Sequence, residues 1–158
     1  MRTRSLLSLT AATAALLFPA APAHAAGTGT YRIQLAGTNR CLAASEGLIG
    51  GALRVCGPST VWTVRAMDDG TVQFVEPAGE GRCLGLSPAV VFPPALWLST
   101  CGASPDRWRV EVTDGSSLVA LALDDAPFGT LTSIGNRAAA AGDGAAEWLV
   151  RPVDSAEQ

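Results

Sequence analysis

The chain has 158 residues, a formal net charge of −3 and 48% hydrophobic residues, with four cysteines, four tryptophans, one histidine and no lysine. The lack of lysine excludes Schiff-base chemistry. A net-negative chain with scattered arginines also lacks the basic stripe that nucleic-acid binding requires, so no nucleic-acid partner is expected.

Residues 1–25 read as a secretory signal peptide. Met1-Arg2-Thr3-Arg4 is a basic start, Leu6 to Phe18 an apolar core, and Ala23-His24-Ala25 an A-x-A cleavage site. The apolar run is too short to span a bilayer and no later run reaches the length of a membrane helix, so membrane insertion is not expected. Cleavage lowers the formal charge to −5, because Arg2 and Arg4 leave, and it removes His24, the sole histidine. Ser-His and Cys-His nucleophile pairs and histidine metal ligation are thereby excluded. No cofactor and no metal are expected.

After a short linker, 26–30, a first unit spans about 31–70. Tyr31 to Leu35 alternates as a strand, Gly37-Thr38-Asn39 turns the chain, and Arg40-Cys41-Leu42 follows. A Gly-rich loop from Gly47 to Gly51 leads to Ala52-Leu53-Arg54-Val55-Cys56, and Gly57-Pro58-Ser59 turns into a strand at Trp62. Asp69-Gly70 between two apolar runs predicts a hairpin with a two-residue type I′ turn.

The second unit, about 71–114, restates this order. Val72 to Val75 is its opening strand, Gly81-Arg82-Cys83-Leu84 its cysteine segment, and Leu96 to Cys101 its next strand; Trp108 and Asp114-Gly115 close it. Cys41 to Cys83, Cys56 to Cys101, Trp62 to Trp108 and Asp69 to Asp114 are nearly equal offsets, a period of roughly 45 residues. A spacing this regular means repeated supersecondary units, each too small to bury its own apolar face.

The third unit, about 115–153, has no cysteine but keeps the plan in Leu118 to Leu123, Gly129 to Thr132 and Trp148 to Val150. The alanine-rich segment Ala138 to Ala146 is read as a loop, since Gly142 and Gly144 would each cost a helix about 1 kcal/mol. The tail 154–158 is expected to fray.

Four cysteines in an exported chain imply two disulfides, with three pairings open in principle. The repeat favours Cys41 with Cys56 and Cys83 with Cys101, because each then closes a short loop within its own unit. A zinc site is the competing reading, disfavoured by its spacings and by an oxidising compartment.

Arg40-Cys41-Leu42 and Arg82-Cys83-Leu84 each stand near the start of a unit, followed by a second cysteine, Cys56 or Cys101, and then by a tryptophan, Trp62 or Trp108. This order resembles the ricin B-type lectin β-trefoil family, and the resemblance covers residues 30–153. It implies an all-β fold: a β-trefoil of three repeats with pseudo-threefold symmetry, twelve short strands, and a six-stranded barrel closed by three hairpins. Closure removes exposed sheet edges. Trp62, Trp108 and Trp148 are its expected structural core.

It also implies glycan binding. In the family's sugar-binding repeats an aspartate follows the first cysteine-leucine pair, an aromatic between the cysteines stacks on the sugar, and a Gln-x-Trp motif supplies an amide. The chemistry is a carboxylate and an amide gripping vicinal hydroxyls, with the aromatic face against the C–H side of the ring. Here the aspartate positions carry Ala43 and Gly85, the glutamine positions Thr60, Asp106 and Ala146, and the aromatic positions Arg54 and Ser99. The usual galactose constellation is therefore lost or relocated.

Trp97, on the strand between the second pair of cysteines, is the candidate sugar platform, with Asp106 and Arg107 nearby; its alternative is an extra core or inter-repeat contact. Asp124, Asp125 and Asn136 are candidate polar prongs, while Asp124-Asp125 before Ala-Pro reads alternatively as a solvated turn. The loop 87–95, SPAVVFPPA, is long, apolar and stiffened by three prolines. Val90, Val91 and Phe92 at its centre are candidate protein-binding residues, as in a protease inhibitor's rigid loop, unless the loop folds over the barrel's end. Catalysis ranks last: Asp68 and Asp69 are neighbours on a turn, whereas glycoside hydrolysis needs two carboxyls facing across a cleft. The expectation is a secreted, extracellular, monomeric, non-catalytic module whose partner is a glycan or an extracellular protein. Abundant Ala, Gly and Arg without lysine point to a GC-rich bacterial source.

Overall fold

The computed structural model describes residues 28–45, 51–77, 81–113, 117–124, 126, 129–141 and 146–153. The predicted signal peptide at 1–25, the loop glycines Gly47 and Gly50, the turn at Asp114-Gly115, the candidate Asp125 and the tail 154–158 lie outside the described residues.

Among the described residues the regular structure is all strand apart from one 3-10 turn, Pro58–Thr60. The strands are β1 (Gly29–Leu35), β2 (Arg40–Ala44), β3 (Gly51–Val55), β4 (Val61–Ala66), β5 (Val72–Val75), β6 (Arg82–Leu86), β7 (Leu96–Thr100), β8 (Trp108–Val112), β9 (Val119–Leu123), β10 (Thr130–Ile134), β11 (Arg137–Ala141) and β12 (Trp148–Pro152). Six of them close a ring by antiparallel pairing in the order β1, β4, β5, β8, β9, β12 and back to β1. Closure leaves those strands no free edge to template aggregation.

The other six form three hairpins, β2–β3, β6–β7 and β10–β11. Each joins the ring at one register point: Cys41 on Gln34, Cys83 on Val75, and Thr130 on Ala122. Thr130 thus occupies the place of the cysteines, which identifies the third unit's cysteine-free counterpart.

The core follows from strand alternation. Val119, Leu121 and Leu123 point inward along β9 while Ala120 and Ala122 do not, the period-2 pattern of a half-buried strand. Trp62, Trp108 and Trp148 are fully buried. Each indole Nε1–H donates to a hairpin carbonyl: Trp62 to Leu42 at 2.8 Å, Trp108 to Leu84 at 2.9 Å and Trp148 to Leu131 at 3.1 Å. A buried indole needs such a partner, because an unsatisfied N–H costs about 1–3 kcal/mol. Each tryptophan therefore fills the core and fastens one hairpin to the ring.

The disulfides are Cys41–Cys56 and Cys83–Cys101, with Cα atoms 4.9 and 4.8 Å apart. Both pairings are those favoured by the repeat, and each ties the ends of one hairpin together.

Two expectations are corrected. The Asp69-Gly70 hairpin forms, but not with a two-residue type I′ turn: strand pairing stops at Ala66 and Val72, Gly70 N donates to Met67 O, and Met67 N donates to Thr71 O. Gly70 at φ 82° closes this longer turn, and Asp69 Oδ1 shapes it by accepting from the Thr71 amide. The second correction concerns the alanine-rich segment, whose first part is strand β11 rather than loop. Ala138, Ala139 and Ala140 are buried, and an ideal Cβ on Gly51 would lie 3.4 Å from that of Ala138. Crowding there admits only small residues, and pairing with β10 and β3 overrides alanine's weak strand preference.

Candidate functional site

The three tryptophan bonds place Leu42, Leu84 and Leu131 in equivalent positions, so the next residues, Ala43, Gly85 and Thr132, also correspond. In the family resembled, this position carries the sugar-gripping aspartate. Ala43 and Thr132 are buried. Gly85 lies beneath the turn before β8: a Cβ there would stand 2.5 Å from Pro105 O, 2.7 Å from Ser104 Oγ and 3.2 Å from Asp106 Cβ. In the second unit backbone occupies the place where a carboxylate would go.

Asp106 is 3% exposed, and both of its carboxylate oxygens are engaged. Oδ1 accepts from Gln73 Nε2 at 3.1 Å and Oδ2 from Gly102 N at 2.6 Å. The carboxylate thereby ties the turn that begins at Gly102 (φ 84°) to strand β5. It also lies close to the sulfurs of Cys83 and Cys101, but these are joined in a disulfide and have no thiolate to offer a metal.

Beside this turn is a polar recess of about 260 Å³ lined by Gly102, Ser104, Pro105, Asp106 and Arg107. Ser104 Oγ is 3.0 Å from Ser99 Oγ, and Arg107 forms an ion pair with Asp69. Hydrogen bonds from the Thr71 hydroxyl and amide, aided by Arg107, hold the Asp69 carboxyl below the usual carboxylate range. Trp97 is the cross-strand partner of Gly85. It is half-buried, on the face of β7 opposite Leu96 and Leu98, which point into the core.

The 87–95 loop is pinned at its base and open at its tip. Ser87 N donates to Ala95 O at 2.8 Å, Ala140 N to Pro94 O at 3.0 Å, and Ala95 bridges Ala139 of β11. Beyond that base Val90 is fully exposed, Phe92 is 91% exposed and Val91 is 49% exposed. The tip does not fold back over the barrel. Between the loop and the β10–β11 hairpin lies a cleft of about 280 Å³ lined by apolar atoms of Val91, Phe92, Pro93 and Ile134, with Arg137 among its walls.

No protein-family model matches the sequence, and no curated protein matches it. Solved structures do. One of them, SeviL bound to asialo-GM1 saccharide, is 13% identical, with a TM-score of 0.65 over 80% of this chain and 99% of that one. A salivary protein from Culex quinquefasciatus of the Cysteine and Tryptophan-Rich family is 15% identical, with a TM-score of 0.63 over 80% and 94%. The water-soluble chlorophyll protein from Brassica oleracea, with chlorophyll b, is 14% identical, with a TM-score of 0.59 over 81% and 93%. The likeness is one of fold. A saccharide in one and chlorophyll b in another, on like folds, show that the site, not the fold, decides the ligand.

The remaining candidates sit apart. Asp124, after β9, forms an ion pair with Arg109 of β8. Asn136, in the β10–β11 turn, accepts from Arg40 Nη2 at 2.7 Å through Oδ1, while its carbonyl accepts from Leu53 N at 2.9 Å. Among the described recesses, the one holding Asp106 includes neither Asp124 nor Asn136. Sequence reasoning singled out the loop but missed Ile134 and Arg137, which face it. They lie on the β10–β11 hairpin, well beyond the loop in sequence, and no local signal joins the two segments before the Ala95–Ala139 bridge is seen. Among the described residues no helix is long and apolar enough to cross a membrane.

Proposed function

We propose that the chain is a secreted, non-catalytic ricin B-like β-trefoil that binds carbohydrate through a relocated contact on its second repeat. The six-stranded ring, three hairpins and three tryptophan fasteners support pseudo-threefold symmetry, with repeats at about 31–70, 71–114 and 115–153 behind a cleaved segment, 1–25. Two disulfides are compatible with an extracellular location.

The observation that carries the glycan reading is the placement of Trp97, half-buried opposite Gly85 on the outer face of β7, with the polar recess of Ser104 and Arg107 at the same turn. An indole face suits the C–H side of a pyranose, and the recess offers a hydroxyl and a guanidinium to sugar hydroxyls. The usual carboxylate grip is replaced, because Gly85 stands at the aspartate position and Asp106, at the glutamine position, is engaged in holding the turn. SeviL, of like fold, is bound to a saccharide, which supports the same class of ligand here. A glycan array on the purified mature chain, beside Trp97→Ala, tests this. Selective binding lost in the variant is the expected result; a blank array for folded, disulfide-intact protein overturns it.

A second reading has its own observation. The exposed apolar tip Val90, Val91 and Phe92 stands on a base fixed by three backbone contacts, as a protein-docking loop requires. In this reading the module docks an extracellular protein such as a protease. Inhibition of one enzyme in a protease panel, lost when Val90 to Pro93 is deleted, is its expected signature, and unchanged inhibition after the deletion removes the loop from the role.

A further inference from the structure

We propose that the cleft between the 87–95 loop and the β10–β11 hairpin binds a small amphipathic monocarboxylate, its apolar body against Val91, Phe92, Pro93 and Ile134 and its carboxylate on Arg137. This goes beyond the glycan reading and does not depend on it.

The cleft holds about 280 Å³. That equals about nine water volumes and suits an apolar body of about eight carbons. Its depth comes from Ala139 of β11, whose side chain alternates away from the core-facing Ala138 and Ala140 and forms the floor, where the larger residues usual in strands would fill the space. One wall is the pinned loop and the other a paired hairpin, so binding orders little backbone.

Arg137 supplies the selectivity. Its side chain is exposed at the cleft, and among the described residues no ion pair or side-chain hydrogen bond engages its guanidinium. Arg40, which reaches the same hairpin turn, is already committed to Asn136 Oδ1 and Gly135 O. One uncommitted guanidinium beside an otherwise apolar cleft fits a ligand with one anionic head, and its planar fork matches a carboxylate in two-pronged fashion. A glycan without an acidic group offers the guanidinium only neutral hydroxyls, not the two-pronged charge pairing of a carboxylate.

Octanoate and 1-octanol, titrated into the full mature protein by calorimetry with amide shifts followed by NMR, test the site. The expected result is saturable octanoate binding with shifts at Val91, Ile134 and Ala138. Arg137→Gln weakens octanoate at least fivefold and leaves 1-octanol unchanged, Arg137→Lys restores part of the octanoate affinity, and Phe92→Ser weakens both ligands. No saturable octanoate binding, equal octanoate affinity of the wild type and Arg137→Gln, or shifts confined to the Gly102–Arg107 recess overturns the proposal.

Discussion

Gly85 and Trp97 are cross-strand partners on the β6–β7 hairpin, and the space a side chain would take at Gly85 is filled by the carbonyl of Pro105 and the hydroxyl of Ser104. Glycine at 85 is therefore a packing requirement. Its neighbour is backbone and not a flexible side-chain end, so Gly85→Ala forces the 104–106 turn to move, at a cost of about 1–3 kcal/mol. Urea denaturation at neutral pH measures it. A loss below about 0.5 kcal/mol, the size of an unconstrained surface change, would mean that the turn yields freely. The slot above Gly85 would then be open to a ligand.

The tryptophans provide a second prediction, in the one unit that has no cysteine. Trp148→Phe keeps an aromatic ring but removes the donor to Leu131 O, leaving a buried carbonyl without its partner and a void where the second ring stood. The two effects together predict a loss of about 2–4 kcal/mol. Chemical denaturation reports the size, and hydrogen exchange reports the place: opening should rise first in β10 and β11, the hairpin that Trp148 fastens.

Much of the fold was legible because its signals are periodic. The offsets between cysteines and between tryptophans mark units whose cysteine pairing and hairpin order the structure bears out. What escaped depends on contacts remote in sequence. Ala138 to Ala140 form a strand because Gly51 and Leu96, from two other hairpins, crowd the same spot and exclude larger residues. The site was less legible for the same reason. Nothing local shows that the turn at 104–106 covers Gly85, that Arg40 engages Asn136, or that Arg137 stands against the loop at Phe92. Asp106 read as a candidate sugar residue near Trp97, and only its partners Gln73, on a strand of the ring, and Gly102 reveal its role in holding the turn.

Asp69 gives stability an acid dependence of known sign. Its folded pKa is depressed, chiefly by the Thr71 hydroxyl and amide and then by Arg107. Its contribution is therefore fully present above the unfolded carboxyl's value of about 3.9 and is lost as pH falls through the lower folded value. Asp69→Asn should flatten the wild-type stability profile in that acid window and leave its slope near pH 7 unchanged. The site is exposed, so added salt should shrink the Arg107 part while sparing the Thr71 hydrogen bonds. Carboxyl NMR titration of Asp69 with and without salt checks both statements. A folded value at or above that of the unfolded chain contradicts them.

The two disulfides should differ in what their removal disturbs. The loops they close are alike, at separations of 15 and 18 residues, so chain entropy assigns each about 3 kcal/mol. Cys83–Cys101 has a further neighbour in the buried carboxylate of Asp106, which holds Gly102 directly after Cys101. Replacing Cys83 and Cys101 by alanine frees the turn that this carboxylate organises, whereas the same change at Cys41 and Cys56 leaves that turn intact. The expected outcome is a similar drop in denaturant midpoint for both double variants, with faster exchange of the Gly102 amide only in the first. On the proposed sugar contact, which joins Trp97 to the recess lined by Ser104 and Arg107, that variant should also bind a glycan less well than the Cys41/Cys56 variant at temperatures where both remain folded. Equal glycan binding by the two would remove the recess from the proposed contact.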